Sequence, residues 1–349
     1  MTRDLIVTTQ GQIGRIRLNR PAALHALTAD MCLGIMTALA TFEADDSVKA
    51  VVFDHASGRG FCAGGDIRML ADSMKGDGVA ARAFFHTEYR MNHRLFTYTK
   101  PTVSIMDGIT MGGGVGVALP CQYRVATENT RFAMPETGIG LFPDVGGGWY
   151  LPRLPGKVGM FLGLTGARLD GAESLAVGLA THYIAASDLP EALTALSNNT
   201  GDIAATLKSH GTGAPIARIV ENRTHIDRLF SGTSVNEIMT ALKADDSSWA
   251  AKELATMRTK SPLSMAVAMR QLTEGAAMTD FADVMRMEYR IAVRVLAQPD
   301  FIEGVRAVVI DKDNAPHWAA DASGTAIDAV FAPLPADQEW TPHLSSPRA

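Results

Sequence analysis

PTVSIMDGITMGGGVGVALPCQYRVATENTRFAMPETGIGLFPDVGGGW, residues 101–149, is the stretch on which the reading of this chain turns. Thr102 to Met106 is a short β-branched and apolar run ending at Asp107-Gly108, the pattern of a buried strand that closes in a turn. Gly112, Gly113 and Gly114 then precede the apolar run Val115 to Leu119, which predicts a tight loop feeding a helix. The first N–H groups of a helix have no partner inside it and can face a developing negative charge, the raw material of an oxyanion hole. Three glycines alone equally serve close backbone packing.

Two carboxylates follow in the same stretch, Glu136 in Met134-Pro135-Glu136-Thr137 and Asp144 in Leu141-Phe142-Pro143-Asp144-Val145. Each is set among apolar residues, Pro or Gly, so each is a candidate for burial. Burial raises a carboxyl pKa towards the working range of a general acid or base, and two such groups close together can divide those roles. The same residues allow structural roles: Glu136 as the cap of a helix starting near Thr137, and Asp144 as the first residue of a Gly-rich turn.

The rest of the composition narrows the classes. With 349 residues, 47% hydrophobic and 20% charged, the chain has room for one large domain and an appendage. A net charge of −5 and no Lys/Arg cluster argue against a nucleic-acid partner. Cys32, Cys62 and Cys121 stand at unrelated spacings without a CxxC pair, so neither a disulfide framework nor a zinc site is expected. No stretch approaches ~20 uninterrupted apolar residues and MTRDLIVTTQ lacks a signal-type apolar region, so a cytoplasmic protein without membrane contact is expected.

Leu5–Thr8 and Ile13–Leu18 flank Gln10-Gly11-Gln12 as an opening hairpin at the edge of a sheet. Thr28 is an N-cap candidate for a helix carrying Met31, Ile35, Leu39 and Phe42 on one face, and Lys49–Phe53 returns as a buried strand. That order favours an α/β fold with a parallel sheet flanked by helices. Gly58 to Leu70 (GRGFCAGGDIRML) is a second Gly-rich turn into a helix and a second possible source of free N–H groups. Cys62 beside it has no base nearby in sequence and reads as a packed small residue. Val79–Tyr98 is helical by pattern, with Phe84, Met91 and Leu95 on one stripe and Glu88 on that same stripe. An inward acid requires a partner, neutrality or a polar cavity, so Glu88 either pairs with Arg82 or Arg90 or belongs to a site. His86 and His93 lack partners at ligand spacing and read as surface or structural. Asp188–Gly232 predicts a helical insert with loops, and Thr233–Leu242, Trp249–Met257, Pro262–Leu272 and Phe281–Leu296 predict helices. The expected organisation is a core over 1–187, a helical subdomain over 188–320 and a poorly ordered, Pro-rich tail over 321–349.

The 134–148 segment, MPETGIGLFPDVGGG, together with Ile16-Arg-Leu-Asn-Arg-Pro21 and the run from Asp300 to Trp318, resembles the crotonase (enoyl-CoA hydratase/isomerase) superfamily and is very similar to its 3-hydroxyisobutyryl-CoA hydrolase branch. The resemblance implies a crotonase-like spiral of ββα units with a helical C-terminal subdomain, an acyl-CoA substrate, no metal or other cofactor, and a trimer or a smaller assembly. It implies that the N–H groups of Gly65 and Gly113 form the oxyanion hole, where one donor is typically worth ~2.7 to 4 kcal/mol. It implies Glu136 as nucleophile or general base, with Asp144 and Glu88 orienting the acyl hydroxyl and water. For CoA it implies contacts at Ala26, Gly65, Asp66, Ile67 and Arg68, with Lys312 reaching a phosphate. His25 stands where many members have Asn, so only backbone contacts carry over there.

No GxxxxGK[ST], HExxH or GxSxG motif is present, and Gly112-Gly-Gly-Val-Gly116 is not a dinucleotide fingerprint. A typical hydratase of the superfamily adds a second glutamate three residues after the middle glycine, which is Gly116 here. The expected activity is therefore thioester hydrolysis, most directly of 3-hydroxyisobutyryl-CoA in valine degradation. The alternatives are an enoyl- or dienoyl-CoA hydratase or isomerase, and a non-catalytic acyl-CoA-binding protein.

Overall fold

The computed structural model describes residues 2–319 and 322–342, and the chain falls into two compact units. One is formed by the N-terminal stretch up to Asp66 with Arg94–Ala133 and Arg168–Glu221; the other by Ile67–His93, Met134–Ala167 and the described residues from Asn222 onward.

All the strands belong to the first unit: β1 Leu5–Gln10, β2 Ile13–Leu18, β3 Ala50–His55, β4 Gly60–Cys62, β5 Thr102–Met106, β6 Ile109–Met111, β7 Tyr123–Ala126, β8 Arg131–Ala133, β9 Leu169–Asp170 and β10 His182–Tyr183. The larger sheet has the order β1-β2-β3-β5-β7-β10, parallel except for the β1–β2 hairpin, which pairs Gln10 with Ile13 and Leu5 with Leu18. The smaller has the order β4-β6-β8-β9. Three times the chain runs from a strand of the larger sheet straight into one of the smaller, β3 to β4, β5 to β6 and β7 to β8. This is the mixed α/β architecture that the strand and helix order predicts, with the repeated strand pairs that the resemblance implies.

The central strands β3 and β5 are buried along nearly their whole length because both faces are covered. Ile13, Val52, Val103, Ile105 and Val125 on the sheet form one core with Leu189, Ala192 and Leu196 of the Leu189–Asn198 helix and Ile203 and Leu207 of the next. That packing corrects the expected partition at 187/188. Residues 188–221 carry the apolar stripe that covers the sheet, so they fold with it and not with a C-terminal subdomain. The Thr28 cap is present, its hydroxyl accepting the Met31 N–H at 3.2 Å at the start of the Ala29–Ala44 helix.

The second unit is helical. Helices Val235–Ala244, Ser248–Met257 and Phe281–Val295 lie where the periodicity puts them, and Pro262–Ala277 starts as predicted but continues more than a turn beyond Leu272. The expected irregular tail is also corrected. Gly324–Phe331 is a helix capped by Ser323, Glu339 pairs with Arg290 at 2.8 Å, and Trp340 is fully buried with its indole N–H on the His86 carbonyl. A buried Trp with its N–H satisfied ties down a segment that its prolines make look open. The remainder of that predicted tail, 343–349, lies outside the described residues.

Candidate active site

Among the buried acids of the helical unit, Glu88, Glu136, Asp144 and Glu288 form one electrostatically linked group. Glu88 lies in the Val79–Phe96 helix, and none of the described ion pairs involves it, so pairing with Arg82 or Arg90 is ruled out as its reason for facing inward. Its Oε1 has no hydrogen-bond partner among the described residues. Burial, and then the neighbouring Asp144, hold its carboxyl well above the usual range.

Glu136 opens a one-turn 3-10 helix, Glu136–Ile139, but does not cap it, because the N-cap is Pro135 and no side chain caps that turn. Its Oε2 is buried and has no hydrogen-bond partner among the described residues. Burial first and Asp144 second push its carboxyl far up. The turn is held from behind: Ser261 donates its N–H to Thr137 O at 3.0 Å and its hydroxyl to buried Asp300 at 2.5 Å. The Pro299–Val305 helix lies so close that a Cβ on Gly304 would stand 2.4 Å from the Ile139 carbonyl carbon.

Asp144 does begin a Gly-rich turn, its carbonyl accepting the Gly147 N–H at 2.8 Å, and its side chain turns inward. Tyr89, one residue from Glu88, donates its hydroxyl to Asp144 Oδ2 at 2.9 Å. Burial raises the Asp144 carboxyl to about 7, and the Tyr89 bond opposes that rise. Asp144 is the acid whose charge is felt by all three others. Among the described residues no three of His, Cys, Asp or Glu are arranged to hold a metal, and no helix is long and apolar enough to cross a membrane.

Tyr89, Gln271 and Glu288 escaped the sequence reading. Glu288 carried the same signal as Glu88, an acid on the buried stripe Val284, Met285, Ile291, Ala292 and Val295 of its helix. Tyr89 and Gln271 carried none, since their partners lie far along the chain.

The glycine loops belong to the sheet-bearing unit. Gly112, with φ 48°, sits at the N-cap of the Gly113–Ala118 helix, and no described main-chain hydrogen bond uses the Gly113 N–H. Gly65 forms a bridge with Leu27 in which Leu27 N–H donates to Gly64 O and Asp66 N–H to Leu27 O, so the ladder bypasses the Gly65 N–H. The two loops adjoin: a Cβ on Gly64, whose φ is 118°, would lie 3.6 Å from Gly113 N. The His25 loop is built on its imidazole, which accepts the Arg20 N–H at Nδ1 and faces Ser57 O at 2.7 Å from Nε2. His25 is thus a loop fastener. Cys62 is buried with its thiol on the His25 carbonyl, a packed residue and no nucleophile.

Of the predicted CoA contacts, Ala26 already uses its N–H on Ala23 O and its carbonyl on Arg20, and the Asp66 carboxylate is paired with Arg20 at 2.8 Å. In the helical unit, Ile67 and Arg68 open a helix, and Arg68 donates to Val309 O at 3.1 Å. That bond brings Arg68 to the turn that carries Lys312, which is exposed with φ 59°. Arg306 builds this turn by pairing with Glu303, Asp311 and Asp313.

Two strand layers built from repeated strand pairs, free N–H groups on glycine loops and a buried carboxylate cluster define an α/β protein of the crotonase type. The chain belongs to the enoyl-CoA hydratase/isomerase family, whose model matches residues 13–331. It is 44% identical over 344 residues to the mitochondrial 3-hydroxyisobutyryl-CoA hydrolase of Danio rerio, covering 95% of this chain and 90% of that one. It is 43% identical over 324 residues to the Homo sapiens protein of the same name, covering 90% and 84%. Among solved structures it is similar to a carnitinyl-CoA dehydratase from Mycobacterium thermoresistibile, with TM-score 0.92, 39% identity and coverage of 97% and 99%. An enoyl-CoA hydratase from Rhodobacter sphaeroides gives TM-score 0.89 at 39% identity, with coverage of 97% and 99%. The names diverge between hydrolysis and hydration, and the side chains have to arbitrate.

Proposed function

We propose that this chain hydrolyses 3-hydroxyisobutyryl-CoA to 3-hydroxyisobutyrate and CoA, a reaction of valine degradation. The supporting observation is the distribution of acids: Glu88, Glu136 and Asp144 are buried together with no basic partner among the described residues, while position 116, where a hydratase carries its second glutamate, is a buried glycine. Hydration of a double bond needs two acids working on the alkene and its water. Hydrolysis needs one carboxylate for the thioester carbon and one acid for the departing thiolate.

Within the cluster the Tyr89 hydrogen bond favours charge on Asp144, and burial first, with that charge second, keeps Glu136 protonated. For Glu136 to act, its proton passes to Asp144. The Glu136 carboxylate then either bonds to the carbonyl carbon, giving a mixed anhydride, or takes a proton from water that makes the attack. The carbonyl oxygen gains negative charge, which main-chain N–H donors stabilise in reactions of this kind. The carbon–sulfur bond breaks, and the thiolate takes the proton held by Asp144. On the anhydride route water then cleaves the acyl–Glu136 bond. Glu88 accepts the 3-hydroxyl. The pair must hold one proton between them, so activity rises with pH through the first ionisation, near 7, and falls when both are ionised.

Purified protein given 3-hydroxyisobutyryl-CoA is expected to release free thiol without added metal or nicotinamide, and to leave the enoyl absorbance of crotonyl-CoA unchanged. Glu136→Gln is expected to abolish release while keeping calorimetric binding of a thioether analogue. Hydration of crotonyl-CoA without thiol release would return the chain to the hydratases, and CoA binding with no turnover of either would make it a binding protein.

A further inference from the structure

Of the buried acids linked to Asp144, the proposed chemistry leaves Glu288 unused. Its two oxygens are aimed at the turn that follows Asp144: Oε2 accepts the Gly146 N–H at 2.8 Å and Oε1 the Gly148 N–H at 2.8 Å. Gln271, also fully buried, donates from Nε2 to Glu288 Oε1 at 2.9 Å and to Pro143 O at 2.7 Å. The residues on both sides of Asp144 are thereby held by one side-chain pair from the Pro262–Ala277 and Phe281–Val295 helices. The turn needs such holding. Val145 has φ 52° and Gly146 has φ 92°, so a non-glycine residue sits in the left-handed region beside Asp144. There is no slack in the packing either, since a Cβ on Gly148 would lie 3.1 Å from Glu288 Oε1 and 3.2 Å from Gln271 Nε2.

We infer that Glu288, braced by Gln271, is a positioning residue for the reaction: its carboxylate clamps the Val145–Gly148 turn and so fixes the Asp144 carboxylate on Tyr89. An uncompensated acid in a buried site is costly, and a buried apolar residue could fill the same space, so a packing role alone does not account for a carboxylate there. Two main-chain donors on one side chain do account for it, because a carboxyl group presents an oxygen to each N–H in this geometry, whereas an amide presents one oxygen and one NH2 donor. Gln271 completes the arrangement by tying the near side, Pro143, to the same oxygen that holds the far side, Gly148.

The role rests on the hydrolase reading above, and two measurements separate the failure of one from the failure of the other. Glu288→Gln leaves one of the two N–H groups facing an amide NH2. Hydrogen exchange of the peptide covering 145–150 in the full-length protein, read by mass spectrometry, is expected to speed up at least tenfold, while the Glu136–Ile139 turn is unchanged. This readout does not depend on which reaction is catalysed. In the thiol-release assay Glu288→Gln is expected to lower kcat at least tenfold with the binding constant for a thioether analogue within twofold of wild type. Gln271→Met, which keeps volume and removes the brace, is expected to do the same more mildly. If wild type releases no thiol but the exchange result holds, the clamp stands and the hydrolase reading falls. Unchanged exchange in folded Glu288→Gln overturns the clamp. So does a kcat equal to wild type in a wild type that hydrolyses, or equal losses in kcat and binding that follow a fall in Tm.

Discussion

Tyr89 decides which carboxyl of the cluster ionises first. Its hydroxyl donates to Asp144 Oδ2 from a buried position, while Glu136 Oε2 has no donor among the described residues. A hydrogen bond to a charged group is worth about 1.5–3 kcal/mol, or roughly one to two pKa units. Tyr89→Phe removes a bond that favours the ionised form, so the first ionisation of the pair moves up. The acid limb of the kcat profile is expected to shift to higher pH by about one unit, measured by thiol release between pH 5 and 9. A limb that stays in place or moves down would take Tyr89 out of the proton arrangement. Glu136, Asp144 and Glu88 were legible because each breaks a local pattern, an acid among Pro, Gly and apolar neighbours or on a buried stripe. Tyr89 breaks none, since a Tyr on an apolar helix face is ordinary. Only a partner 55 residues away gives it a role.

At the scale of elements, the Glu136 turn has no stability of its own: it is one turn of 3-10 helix without a side-chain cap. Its position is set by what lies behind it, the Pro299–Val305 helix and Ser261. Gly304 permits that approach and Gly140, with φ 72°, meets it from the other side, where a Cβ would lie 2.2 Å from Asp300 O. Gly304→Ala puts a methyl into the Ile139 backbone and should cost about 1–3 kcal/mol of stability. It should lower kcat more than that loss of folded protein explains, because the turn it displaces carries Glu136. Denaturant unfolding alongside single-turnover kinetics checks both halves, and a full kcat in a destabilised variant would make the contact structural only. Long helices and buried strands were legible through their period. The pairing of Gly304 with Ile139 was not, because a glycine needed for close approach looks in sequence like one needed for a turn.

For the molecule as a whole, the cluster is a standing cost. Asp144 is raised to about 7 and Glu288 to about 8, and Glu88 and Glu136 are raised as well, each chiefly by burial. The unfolded chain ionises such groups near pH 4. A carboxyl whose folded pKa is raised binds its proton more tightly in the native state, so its favourable contribution is complete below the unfolded pKa and is lost as pH climbs through the folded value. Stability should therefore decline between about pH 4 and 8, opposite to the trend set by carboxylates held in ion pairs, such as Glu303 with Arg306. Asp144→Asn removes one of these groups while keeping an oxygen for the Tyr89 hydroxyl. It is expected to melt at least ~2 °C above wild type at pH 8, to match wild type near pH 4, and to have lost thiol release. Calorimetry at the two pH values reads the difference directly. A variant that melts below wild type at pH 8, or by the same margin above it at both, would mean that Asp144 is held in its charged form at no cost, and the acid–base division proposed for the pair would lose its physical basis.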